Sequence, residues 1–280
     1  MIRTDQDDRD GDGESADSPR GRRGREFALT SPTNGICNSE VRKAGHAVML
    51  TLREGSSRRH VEREGHDTWM TFDPESHRDP FRHGFRALEG LNEDRLAPGF
   101  ELPPHSQQNV EMLTYVQEGL LFHEDDTGKA GAIRAGEFQH LSAGSGIRHR
   151  RSNGSQLDFA HVIESKLRPD RQGLSPESVQ MRFAAGDRKG VFRLVASPDA
   201  RTAVFHMHQD VQVYSSLPDR GCHLIHQLKA GRHAWLQVVT GRIQVLDLAL
   251  IAGDGVAYMD ELSVSITALE ASEVLLFDLA

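Results

Sequence analysis

The chain has few cysteines: Cys37 and Cys222 are its only two, and they lie far apart among 280 residues. That excludes a disulfide framework and a Cys-x-x-Cys metal or redox motif, and it fits two free thiols in a reducing compartment. No apolar run approaches the 18 or more residues of a membrane span. The acidic start, with its Asp-rich residues 5–12, has no apolar stretch of the kind a secretory signal needs, so the cytoplasm is the expected compartment. A formal net charge of −8 argues against broad nucleic-acid affinity, which needs clustered Lys and Arg against phosphates. A Gly-rich phosphate loop and a Gly-x-Ser-x-Gly nucleophile turn are also absent.

What is there reads as folded and β-rich. Hydrophobic residues make up 37% and charged residues 26%, enough for one large or two medium domains. Residues 1–45 are rich in Asp, Arg, Gly and Ser and lack periodic apolar positions. They are expected to form a disordered tail that cannot offset its ordering entropy. Its Arg20–Arg25 cluster reads as solvated, with contact to an anionic partner as the functional alternative. Order is expected from His46, with a strand over residues 48–52, a polar loop or helical turn over 55–65, and a strand over 69–72. Beyond these, short runs rich in Val, Ile, Leu and Phe alternate with Gly, Pro, Asn and Asp turns, the pattern of a sandwich or barrel.

A weak internal repeat sharpens this. A strand meets Gly119, a hairpin follows, and an Ile-x-Ala-Gly turn at Gly136 leads into the next strand. The same plan recurs at Gly241 and Gly253. The offsets of 122 and 117 residues predict two similar barrels in tandem, over residues 46–170 and 171–280, joined by a linker at 167–182 with room for a short helix.

In the first barrel, His105 precedes one strand and His149 ends a later one. Around them stand Asn92-Glu93-Asp94-Arg95, Pro98-Gly99-Phe100, Glu111, Thr114-Tyr115-Val116, Glu118-Gly119, Gln139, Ser142-Ala143-Gly144 and Gly146-Ile147. The second half adds His208-Gln209-Asp210, the Ala252–Gly255 turn and a terminal Leu275–Leu279 strand. In this order, across roughly residues 48–280, the motifs resemble the pirin family, in particular its bacterial members. The resemblance implies an all-β bicupin, two double-stranded β-helix (jelly-roll) barrels. The first would hold a divalent transition metal on three His and one Glu; the second would hold none.

Residues i and i+2 of a strand share a face, so a His-x-His pair and a later His-x-Glu pair can surround one ion. This chain departs from that set. Anchored on Gly99-Phe100, the first pair becomes Pro103-Pro104-His105; anchored on Glu111, His105 and Gln107 take the two places. The last pair becomes His149-Arg150-Arg151, with an arginine where the carboxylate is expected. His105 and His149 remain as metal ligands, with Gln107 or Glu111 able to complete a looser site. The other histidines are expected in structural or surface roles: His123 on a hairpin, His206 and His208 with ligand-like spacing, and His223, His226 and His233 scattered on the surface. The Asn92–Arg95 motif is expected to form a turn with a local ion pair.

Three functions follow. The resemblance implies a quercetinase-type dioxygenase on iron or another divalent metal, with His105 and His149 as ligands, Glu111 as acid or base, and a small aromatic substrate. Arg151 in place of a ligand points instead to a metal-free cupin. There Arg151, with Arg148 or Arg150 and Gln107, would clamp a small anion. The third is a non-catalytic regulator that contacts a protein partner, as the resemblance to eukaryotic pirin implies.

Overall fold

The computed structural model of the chain describes residues 36–43, 46–73, 79, 81–199 and 203–280, with side chains from Leu50 onward. It is built almost wholly of strands, with one four-residue α-helix, Ala185–Arg188, among the described residues. No helix there is long and apolar enough to cross a membrane. The expected tail and its arginine cluster fall largely outside the described residues. Its end is corrected, because Ile36–Lys43 is a strand paired along its length with His46–Arg53.

Four sheets make two barrels. In the first, a seven-stranded sheet runs Glu177–Arg182, Glu137–Ser142, Glu111–Glu118, Ala160–Leu167, Leu88–Leu96, His66–Met70, Arg59–Arg63. It packs on a four-stranded sheet ordered Glu101–Gln107, Ile147–Asn153, Leu120–Asp125, Ala130–Arg134. In the second, an eight-stranded sheet is built around His233–Thr240 and Glu273–Leu279. It packs on the sheet of His223–Gln227, Ser263–Ala268, Arg242–Val245 and Leu248–Ile251.

The two large sheets share one apolar core. Leu113, Tyr115, Phe138 and Ile163 from the first meet Val211, Val213, Trp235 and Phe277 from the second. Trp235 is fully buried, with Phe72 edge-on at 5.0 Å between ring centroids. Each such buried Leu or Phe contributes about 1.5–3 kcal/mol. The alternation of the strands explains the layering: along Glu273–Leu279, Leu275, Phe277 and Leu279 enter the shared core, while Val274 and Leu276 enter the second barrel.

The domain boundaries predicted from the repeat are crossed in both directions. His46–Arg53, expected in the first barrel, pairs with Gly255–Tyr258 of the second. Glu177–Arg182, expected in the linker, pairs with Glu137–Ser142 of the first. An unpaired sheet edge carries free backbone donors and acceptors, and each barrel lends the other a strand that covers one. The hairpin repeat itself is present. Gly119 and Gly241 sit at φ of 81° and 79°, and an added Cβ would come within 2.5 Å of the Phe159 and Ala271 carbonyl oxygens respectively. Only glycine fits both.

Two local expectations are also corrected. Residues 55–65 hold a short 3-10 turn and the strand Arg59–Arg63, which forms a hairpin with His66–Met70. The Asn92–Arg95 motif is strand, and its acids bind at long range: Glu93 pairs with Arg58 at 2.6 Å and His161 at 2.8 Å.

Candidate ligand cavity of the N-terminal barrel

Between the two sheets of the first barrel lies a cavity of about 250 Å³, lined on one side by His105, Gln107, Leu102 and Arg151 and on the other by His66, Asp94, Glu164 and Lys166. The strand Ile147–Asn153 buries alternate residues, so Ile147, His149 and Arg151 point inward while Arg148 and Arg150 are exposed. Its antiparallel partner brings His105 opposite His149 and Gln107 opposite Ile147. A bulge then puts Leu102 opposite Arg151.

The imidazoles of His105 and His149 converge, 4.3 Å between ring centroids. His149 is 5% exposed and its Nε2 has no hydrogen-bond partner among the described residues. Burial, reinforced by Arg151 and then His105, pushes its pKa down to about 4. Burial also holds His105 below the usual histidine range, with Arg151 acting the same way. Both rings are therefore neutral at pH 7.

Arg151 is buried and forms an ion pair with Glu164, whose other oxygen lies 3.6 Å from Lys166 Nζ. Burial works to raise the Glu164 carboxyl, but Arg151 and Lys166 outweigh it and hold the group below the usual carboxylate range. Across the cavity Asp94 Oδ1 accepts from Thr68 Oγ1 at 2.7 Å and from His66 Nε2 at 2.9 Å.

Glu111 is elsewhere. It is fully buried but does not line the cavity. Its carboxylate accepts from the His208 backbone N–H at 3.0 Å to each oxygen, from His208 Nδ1 at 3.0 Å and from His140 Nε2 at 3.2 Å. Burial alone would raise this carboxyl, but the His140 and His208 bonds hold it below the usual range. Glu111 thus ties the first barrel to the second, which corrects its expected place beside a metal. The clamp expected from Arg148 or Arg150 is corrected too, since Arg150 reaches outward to Glu124 at 2.7 Å. Gln107 lines the cavity.

Several histidines were misread as surface. His123 is half-buried opposite Arg151, His233 is buried, and His226 donates to Asp278 at 2.8 Å. The cavity residues missed were Glu164, Lys166, His66 and Asp94. Two opposite charges spaced i, i+2 in the strand Ala160–Leu167 were the available signal for the first two. Nothing marked His66.

Comparison with known proteins decides the family. A pirin model matches residues 53–165, and a quercetinase C-terminal cupin domain model matches residues 194–279. The chain belongs to the pirin family. A quercetin 2,3-dioxygenase of Escherichia coli strain K12 is 38% identical over 231 residues, covering 82% of this chain and 99% of that one. The crystal structure of YhhW from Escherichia coli superimposes with a TM-score of 0.78 at 38% identity, over 83% of this chain and 98% of that one. The bacterial pirin YhhW in complex with nickel(II) gives a TM-score of 0.76 at 38% identity, over 82% and 99%.

The metal expected from the pirin resemblance does not fit the residues present. The unpartnered His149 Nε2 is a free donor, but next to it stand Arg151, where the resemblance calls for a carboxylate, and its strand neighbour Leu102, which offers no side-chain donor atom. Among the described residues, no three His, Cys, Asp or Glu side chains are grouped to hold an ion. A dication about 5 Å from the Arg151 guanidinium would meet repulsion of roughly 7 kcal/mol at an effective dielectric of about 20, of which Glu164 offsets part.

Proposed function

We propose that this pirin-family bicupin uses its N-terminal barrel to bind a small anionic molecule, without the transition metal of the dioxygenase reading. The observation that carries this is the buried Arg151, held by Glu164 at the wall where a carboxylate ligand was expected. Arg63, Arg151 and Lys166 against Asp94 and Glu164 leave the lining with one net positive charge when the histidines are neutral. A guanidinium already oriented by a carboxylate presents its remaining N–H groups at little entropic cost. At about 250 Å³ the cavity suits a compact ligand.

The metal-dependent quercetinase reading is favoured by the name of the Escherichia coli relative and by the unpartnered His149 Nε2. Metal analysis of the purified chain, before and after nickel or iron loading, separates the two. Metal well below one ion per chain, no consumption of quercetin, and micromolar-to-millimolar binding of small carboxylates that is lost in Arg151→Met are expected. One tightly held metal per chain with quercetin consumption would overturn the proposal. Arg151→Glu, which restores a carboxylate, is expected to raise nickel uptake.

A further inference from the structure

The wall facing Arg151 carries a second arrangement that anion binding alone does not use. His66 and Asp94 both line the cavity, on neighbouring strands, with Thr68 paired directly to Asp94 across the ladder. Asp94 Oδ1 accepts from His66 Nε2 at 2.9 Å and from Thr68 Oγ1 at 2.7 Å. The Asp94 side chain is mostly buried, as is that of His66. A buried carboxylate that takes the proton of one imidazole nitrogen fixes the tautomer and leaves a lone pair on the other. Here the other is Nδ1, which makes no hydrogen bond to the protein among the described residues. Phe100 packs on the ring, 5.7 Å between centroids, and limits its rotation.

We infer that the Asp94–His66 pair is an acid–base centre, and that with Lys166 on the same wall and Arg151 across the cavity it catalyses a metal-independent proton transfer: enolisation of a small 2-oxo carboxylate. This rests on the anion reading above, because the substrate's carboxylate is what Arg151 would hold. The chemistry balances without an oxidant. Neutral His66 takes a proton from the carbon next to the ketone. The C–H electron pair forms the C=C bond, and the ketone π pair moves to oxygen, giving an enolate beside the Lys166 ammonium. The imidazolium then gives its proton to the oxygen, yielding the enol, or first swaps it with solvent and gives a solvent proton to the carbon, yielding isotope exchange. Burial strengthens the enolate–ammonium attraction, and Asp94 stabilises the transient imidazolium. Asp94 acts as a positioning residue and His66 as the catalytic one.

The test uses the full chain in chelator-treated buffer, with phenylpyruvate and pyruvate as probes. Exchange of the C3 protons for deuterium is followed by NMR, and binding by calorimetry. Exchange at least tenfold above buffer is expected for one or both probes, falling to background in His66→Gln while the dissociation constant stays within threefold. Asp94→Asn is expected to slow exchange at least tenfold with the same affinity, and Asp94→Glu to recover part of it. Binding of the probes with no exchange above buffer, or exchange unchanged in His66→Gln, overturns the acid–base centre and leaves the anion site standing. Failure of both probes to bind, with Arg151→Met behaving like the parent chain, overturns the anion reading and this inference with it. Thermal melting of each variant identifies unfolding, and His66→Asn replaces His66→Gln if the latter does not fold.

Discussion

Leu236, Ile243, Val256 and Val264 fill the interior of the C-terminal barrel with apolar side chains, each nearly or wholly removed from solvent. In the N-terminal barrel an apolar cluster around Val116, Leu121 and Val162 is accompanied by Arg151, Glu164, His149 and Asp94. Both barrels use the same hairpins at equivalent glycines, so the backbone plan does not explain the contrast. Burying charged and imidazole groups costs stability unless each is paired, and even a paired ion bridge is often no better than a hydrophobic replacement. The anion site proposed above would account for an interior that keeps such groups. The apolar barrel serves as the fixed half against which the polar one is held, through the Trp235 core and the Glu111 clasp.

The contrast can be broken most strongly at the buried ion pair. Arg151→Met leaves Glu164 buried with only Lys166 nearby, and urea denaturation is expected to show a loss of about 3–5 kcal/mol. Converting both partners, Arg151→Met with Glu164→Leu, should recover most of that loss and make the first barrel resemble the second. Leu236→Ala is the matching cut in the apolar barrel. It is expected to cost about 3 kcal/mol and to leave carboxylate binding, measured by calorimetry, unchanged.

Acid gives a third difference. The ordinary histidine value is 6.5, while His149 is held at about 4 in the fold. As pH falls below 6.5 the unfolded chain takes up a proton that the folded chain refuses, so stability declines through that window. The loss due to His149 should reach about 2 kcal/mol by pH 5. Denaturation midpoints at pH 7 and 5 read it, and His149→Phe should flatten that part of the slope. If the variant keeps the full slope, the ring does not lie in the environment described. The smallest effect is expected from Lys166→Met, which removes a half-exposed cation: about a tenfold weaker carboxylate affinity, roughly 1.4 kcal/mol.

Much of the site was readable in advance. His105 and His149 were identified by their place among ordered motifs, and they do meet inside one barrel. Arg151 was expected to replace a ligand, and it faces inward because its strand alternates. Glu111 was misplaced because its sequence position beside Thr114-Tyr115-Val116 says nothing about which face it takes. Its partner His208 comes from the other barrel, 97 residues away. The strand exchange was hidden for the same reason, since period-two patterning identifies a strand but not its neighbour.

The sequence alone determined that the chain is all-β, built twice on one hairpin plan, and a pirin-type bicupin. Those properties are written in local chemistry: alternating apolar residues, glycines at positive φ, and the spacing of a few histidines. The tertiary structure decided the partner of Arg151, the isolation of Glu111 from the cavity, and the meeting of His66 and Asp94 on the wall that carries Lys166. Each joins residues from different strands, and their approach depends on sheet register and closure, which no single stretch of sequence encodes.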